Sequence, residues 1–80
     1  MEFLIYLIIS ENKEKSYVGF SGDIDARIKM HREHRVNSTK NFGNFNYSII
    51  EKVPNLEYAR IQEKYWKSAT GRKKLKEVFK

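Results

Sequence analysis

Phe3-Leu4-Ile5-Tyr6-Leu7-Ile8-Ile9-Ser10 and, after a polar interruption, Tyr17-Val18-Gly19-Phe20 are the stretches whose reading decides the fold. The first is almost continuously apolar and rich in β-branched side chains, as expected of a strand covered on both faces. Glu11-Asn12-Lys13-Glu14-Lys15 is a polar turn, so the two runs are expected to pair as an antiparallel hairpin. Ten residues separate Tyr6 from Tyr17, and each strand contributes one tyrosine. Gly19, in the middle of the second run, marks a place where backbone or ligand approaches closely.

Eighty residues make one small domain, residues 1–80, with a core thin enough that every large apolar side chain counts. Five Tyr, five Phe and one Trp supply the buried area that a short chain otherwise lacks. The absence of cysteine excludes disulfides and cysteine–zinc sites. The apolar run from Phe3 to Ile9 is too short to span a bilayer and follows Glu2. A soluble, cytoplasmic protein with no membrane partner is therefore expected. Sixteen basic against ten acidic residues give a formal charge of +6, which suits a polyanionic partner, although a solvated lysine-rich surface is the plainer alternative. The cations cluster at Arg27–Arg35 with Lys40, and at Arg60–Lys80. From these clusters Lys29, Arg35, Lys40 and Lys67 are the candidate nucleic-acid contacts.

Ser21-Gly22-Asp23 opens a helix expected to run to about Arg35, with Asp23 and Asp25 in its positive first turn. Capping accounts for both acids, so a metal-binding Asp-x-Asp pair is the lesser reading. Ile24 and Ile28 form the inner stripe, flanked by Arg27 and His31 one turn apart. His34 falls off that face, and His31-x-x-His34 lacks a third ligand nearby. Residues 36–44 are loop-like, with Gly43 as punctuation. Phe45 to Ile50 alternates as a third strand, with Phe45, Tyr47 and Ile49 on one face. Pro54-Asn55 introduces a helix from Leu56 to about Ser68. Thr70-Gly71 then reads as a break before a basic terminal helix, Arg72–Phe79, anchored by Leu75, Val78 and Phe79. Within the second helix, Leu56, Ala59, Glu63 and Trp66 share a stripe. A carboxylate there is costly unless it is paired, hydrogen-bonded or bound to metal; an ion pair with a nearby Arg is the structural alternative.

In this order the motifs resemble the GIY-YIG nuclease superfamily, in particular its small single-domain members. Leu4-Ile5-Tyr6 stands for the first signature and Tyr17-Val18-Gly19 for the second. Arg27 to His31 is similar to the family's Arg-x-x-x-His helix, and Tyr58 to Lys64 to the helix bearing its metal-binding Glu. The resemblance implies an α+β fold, a three-stranded antiparallel β-sheet flanked by helices in the order β-β-α-β-α-α. It also implies an endonuclease that hydrolyses phosphodiester bonds in DNA. Carried over by residue, Glu63 holds one divalent ion, Mg²⁺ or Mn²⁺, and Arg27 stabilises charge on the scissile phosphate. Tyr6 or Tyr17 orients or deprotonates water, and His31 assists proton transfer or grips the phosphate. The chain departs from the family pattern at Leu4, which replaces Gly. Phe20-Ser21-Gly22 lacks a Lys that some members carry there, and Leu75 stands near where some carry an Asn.

So small a chain leaves little surface for base readout, and backbone contacts position without specifying sequence. The expectation is a structure-selective or weakly selective enzyme, or one that takes its specificity from a protein partner or a homodimer. Two other classes of function fit the same residues: a non-catalytic nucleic-acid-binding module on this scaffold, and a protein-docking domain that uses Tyr58, Tyr65 and Trp66.

Overall fold

The computed structural model describes residues 2–78. Strands β1 (Phe3–Ser10) and β2 (Ser16–Ser21) are followed by helix α1 (Ile24–Arg32), strand β3 (Phe45–Val53), and helices α2 (Leu56–Lys67) and α3 (Ala69–Val78). The sheet is antiparallel with order β2-β1-β3. The most apolar strand therefore lies at the centre, and Ile5, Tyr6, Leu7 and Ile8 are all buried. This is the expected α+β arrangement, with its β-β-α-β-α-α order.

Each face of the sheet has its own apolar cluster. On one face Ile5, Leu7, Val18 and Val53 meet Ala59 of α2 and Leu75 of α3. On the other, Tyr6, Ile8 and Phe45 meet Ile28 of α1. The period-two alternation of β1 sends neighbouring residues to these opposite faces. Tyr47 and Ile49 share the face of Phe45 as expected, but only Phe45 is buried; the other two are exposed. A β-bulge interrupts the β1–β3 ladder: Ile5 pairs with Glu51 and Tyr6 with Ile49, leaving Ile50 as the extra residue. This shift turns Glu51 toward α2, where its carboxylate accepts from Gln62 Nε2 at 2.8 and 3.0 Å and from Trp66 Nε1 at 3.1 Å.

Helix ends follow local chemistry. Asp23 caps α1 by accepting from Ala26 N at 3.2 Å, and Asn55 caps α2 by accepting from Tyr58 N at 2.9 Å. Helix α1 stops at Arg32, short of the expected Arg35, because His34 takes a left-handed φ of 58°. Backbone bonds from His34 N to His31 O and from Arg35 N to Met30 O complete a Schellman closure.

The terminal helix corrects the sequence reading. Chain direction changes at Ser68, and Thr70 and Gly71 lie inside α3. Gly71 is buried where α3 folds back on α2, and an added Cβ would meet Tyr65 O and stand 2.6 Å from Trp66 Cα. It therefore permits a close approach rather than breaking the helix. Leu75 is buried as expected, whereas Val78 is 71 % exposed and anchors nothing. Phe79 lies outside the described residues. Tyr58, one of the three aromatics a docking domain would use, is 54 % exposed.

The two readings of Gly71 predict opposite signs for Gly71→Ala. A helix-interior glycine replaced by alanine gains up to ~1 kcal/mol, whereas overpacking costs ~1–3 kcal/mol. Urea denaturation is expected to show a net loss, because the obstructing atoms are backbone.

Candidate active site

Tyr6 points from the central strand toward α1, and its hydroxyl lies 2.8 Å from Nε2 of His31. The opposite nitrogen of that ring, Nδ1, is 2.6 Å from Oγ1 of Thr39. All three side chains are buried. The result is a closed hydrogen-bond chain running from sheet to helix to loop. Neither the helix pattern nor the loop-like composition of residues 36–44 pointed to Thr39. A lone loop threonine carries no periodic signal, and its role emerges only when the turns at Val36–Phe42 fold it beneath α1.

Gly19 explains how Tyr6 reaches His31. The two residues pair directly across β1 and β2, and the tyrosine ring lies over the glycine. A Cβ on Gly19 would stand 2.6 Å from the Tyr6 hydroxyl oxygen and 2.9 Å from Cε1 of Tyr17. The second tyrosine is half-buried beside the first, with ring centroids 6.3 Å apart, and sits 5.4 Å from the His31 ring.

Charge reaches the cluster from two helices. Arg27, one turn before His31 on α1, acts on the hydroxyls of both tyrosines. Among the described residues the Tyr6 hydroxyl nevertheless hydrogen-bonds His31 alone, and Nε of Arg27 is buried with no partner. Helix α2 crosses near the β2 edge and brings Glu63, whose charge is felt at Tyr6. The Glu63 side chain is 25 % exposed and pairs with Lys67 at 3.7 Å. The predicted ion pair therefore exists, with lysine one turn on as the partner rather than an arginine. The Lys67 ammonium also lies 5.1 Å from the Tyr17 ring centroid. The cation missing after the second signature is thus supplied beside Tyr17 by a different element.

Tyr6, Tyr17, Arg27, His31, Glu63 and Lys67 are accordingly brought together at the β2 edge. Lys29, Arg35 and Lys40 are exposed, with Arg35 paired to Glu33 at 3.5 Å.

A profile of the GIY-YIG catalytic domain matches residues 2–76. The chain belongs to the GIY-YIG family. Searches of curated proteins and of solved structures each returned no match. The family is a nuclease family, and a nucleic-acid substrate and a divalent metal follow at that level. The GIY-YIG chain described here offers a donor set that suits such an ion. No group of three or more His, Cys, Asp or Glu side chains converges among the described residues, which does not suit a closed zinc site. One partly exposed carboxylate does suit magnesium or manganese, ions that keep most of their waters and use one or two carboxylates plus substrate oxygens.

The electrostatics of this GIY-YIG site leave His31 neutral. Burial, and secondarily the nearby Arg27 charge, lower its pKa from the ordinary 6.5. Burial raises the Tyr6 pKa above 10.0, with Arg27 opposing. The unfolded chain therefore takes up the histidine proton first as pH falls. The stability from neutral His31 is whole above about pH 6.5 and is lost as pH falls from there through the folded value. The stability from neutral Tyr6 is whole below about pH 10 and is lost as pH rises through its raised value.

Urea midpoints are expected to decline on both flanks. Arg27→Gln is expected to shift the His31 imidazole titration, followed by NMR, upward toward 6.5. Thr39→Val, which leaves Nδ1 of His31 unpaired, is expected to cost ~1–3 kcal/mol. Thr39→Ser keeps the hydroxyl and should retain most of that stability by the same denaturation measurement.

Proposed function

We propose that this chain is a divalent-metal-dependent endonuclease that hydrolyses phosphodiester bonds in DNA. The supporting observation is the convergence of two tyrosines, an arginine, a neutral histidine and one carboxylate, drawn from four elements, at a single edge of the sheet. A general acid–base pair, a cation for developing phosphorane charge and a metal anchor are the parts this reaction needs.

Arg27 is the phosphate-facing cation. Its buried Nε is a donor without an acceptor among the described residues, and a phosphate oxygen would satisfy both its hydrogen-bonding need and its charge. Glu63 would hold the ion, whose contribution when bound is Lewis-acid stabilisation of charge on the scissile phosphate. Lys67 would yield part of its hold on that carboxylate.

The two tyrosines divide the remaining work by exposure. Tyr6 is 0 % exposed and committed to His31, whereas Tyr17 is half-buried at the surface of the cluster. Tyr17 orients the attacking water. The water's proton leaves to solvent as the bond from phosphorus to the leaving oxygen breaks, and that oxygen takes up a proton from solvent. The buried Tyr6–His31 pair holds the site in register. Nδ1 of the His31 ring is held in turn by Thr39 Oγ1. Burial keeps that ring neutral, so Nε2 serves as a hydrogen-bond acceptor for the Tyr6 hydroxyl rather than as a proton sink. In the cell we place the protein in the cytoplasm, with a protein partner or a second copy supplying sequence choice.

The test compares wild type and Glu63→Gln on supercoiled plasmid and on labelled branched or single-stranded oligonucleotides, with Mg²⁺, Mn²⁺ or EDTA. Wild type is expected to nick only with metal. The variant is expected to lose about 10²–10³-fold in rate, the scale of removing one preorganised electrostatic contact. Nicking that survives EDTA or the substitution overturns the reading. Salt-sensitive binding without cleavage in either protein establishes the non-catalytic binding module instead.

A further inference from the structure

Beside the reactive cluster a groove of about 840 Å³ opens along the β1–β2 hairpin, bounded on its other side by the end of α2 and by α3. Tyr17 and Lys67 belong to both cluster and groove, so the groove leads away from the reactive edge. Its rim carries Lys13, Lys15, Lys67, Arg72 and Lys76 against a single carboxylate, Glu14. Lys15 donates to Asn41 O at 3.3 Å and Lys67 is paired with Glu63. Lys13, Arg72 and Lys76 make no ion pair among the described residues. None of these five except Lys67 stood among the sequence candidates for nucleic-acid contact.

The floor is of a different chemistry. Leu7, Ile9, Val18 and Leu75 form it, with the ring of Trp66, while Phe42 lines the groove from the opposite face of the sheet. Trp66 is half-buried, and its one polar atom is already engaged by Glu51 at 3.1 Å. What it has left to offer a ligand is the apolar face of its ring.

We infer that this groove holds a single-stranded segment of nucleic acid, with unpaired bases on the apolar floor and phosphates along the cationic rim. The choice between single strand and duplex follows from the pairing of rim and floor. A duplex presents phosphates outward and hides its bases in the stack, so it has no use for an apolar, aromatic floor. A single strand offers both components at once, and stacking platforms beside a positive track are how such strands are held. The inference rests on the nuclease reading of the adjoining cluster and deepens it: the substrate is one with an unpaired strand next to the scissile bond.

Binding in EDTA separates the two, because it needs no cleavage. The full chain would be titrated with short oligo(dT), its RNA counterpart oligo(U), and a blunt duplex, reading both anisotropy and the fluorescence of Trp66, the sole tryptophan. A single strand is expected to bind more tightly than the duplex and to quench that fluorescence; the tighter of the two oligonucleotides identifies the sugar. The double substitution Lys13→Gln/Lys76→Gln is expected to reduce the slope of log affinity against log salt by about 1.4, at about 0.7 per single-strand contact. Lys52→Gln, an exposed lysine on the far strand β3, is expected to leave the slope unchanged. Equal or better duplex binding, an unquenched Trp66, or a slope unmoved by the double substitution overturns the groove. Cleavage accompanied by any of these results leaves the nuclease reading standing alone. Groove-dependent strand binding without cleavage under any metal removes that reading and keeps the groove.

Discussion

The bond between the Tyr6 hydroxyl and His31 Nε2, 2.8 Å long and fully buried, is the contact on which the reactive edge depends. It fixes the central strand to α1, and with them the spacing between the tyrosines and Arg27. It needs a residue without a side chain opposite Tyr6, which Gly19 provides, and a partner for the far nitrogen of the ring, which Thr39 provides. Remove either and a buried polar group is left unpaired or displaced, at a cost that a core this small feels directly. The same contact is part of the hydrophobic cluster on that face, so folding and site assembly are one event.

The second anchor is electrostatically quieter. Glu51 receives Gln62 and Trp66 from α2, and because those two residues flank Glu63 in the same helix, the clamp sets the height at which Glu63 meets the β2 edge. The clamp in turn depends on the bulge, since a regular ladder would put Glu51 on the face of Ile49, away from α2. A single extra residue in β3 thus helps to place a carboxylate on a different element.

Much of this was legible in the residues. The unbroken apolar run of β1 announced a central strand, and the mid-strand glycine announced a close approach that proved to be the Tyr6 ring. Glu63 was conspicuous because charge within an apolar stripe demands a partner. What stayed hidden was contributed by residues without periodicity. Thr39 sits in a loop whose sequence says only that it is a loop. Lys67 was singled out for its charge, but its position over Tyr17 depends on how α2 crosses the sheet. Gly71 misled because glycine in a helix usually weakens it, and only the return of α3 onto α2 shows why nothing larger fits. The extent of β3 was underestimated for a related reason: past Ile50 the alternation is broken by the bulge, so period-two reading stops there.

The bulge also governs the outer edge of the sheet. β3 is an edge strand whose Tyr47 and Ile49 are exposed, the kind of apolar, unpaired margin on which identical chains stack into aggregates. Ile50 breaks the regular spacing of its free amides and carbonyls, and Lys52, paired with Glu2 at 3.3 Å, adds charge a short distance beyond. A ladder that is both kinked and charged is a poor template for a further strand. The irregularity that orients Glu51 thereby also disfavours strand-on-strand stacking at that margin.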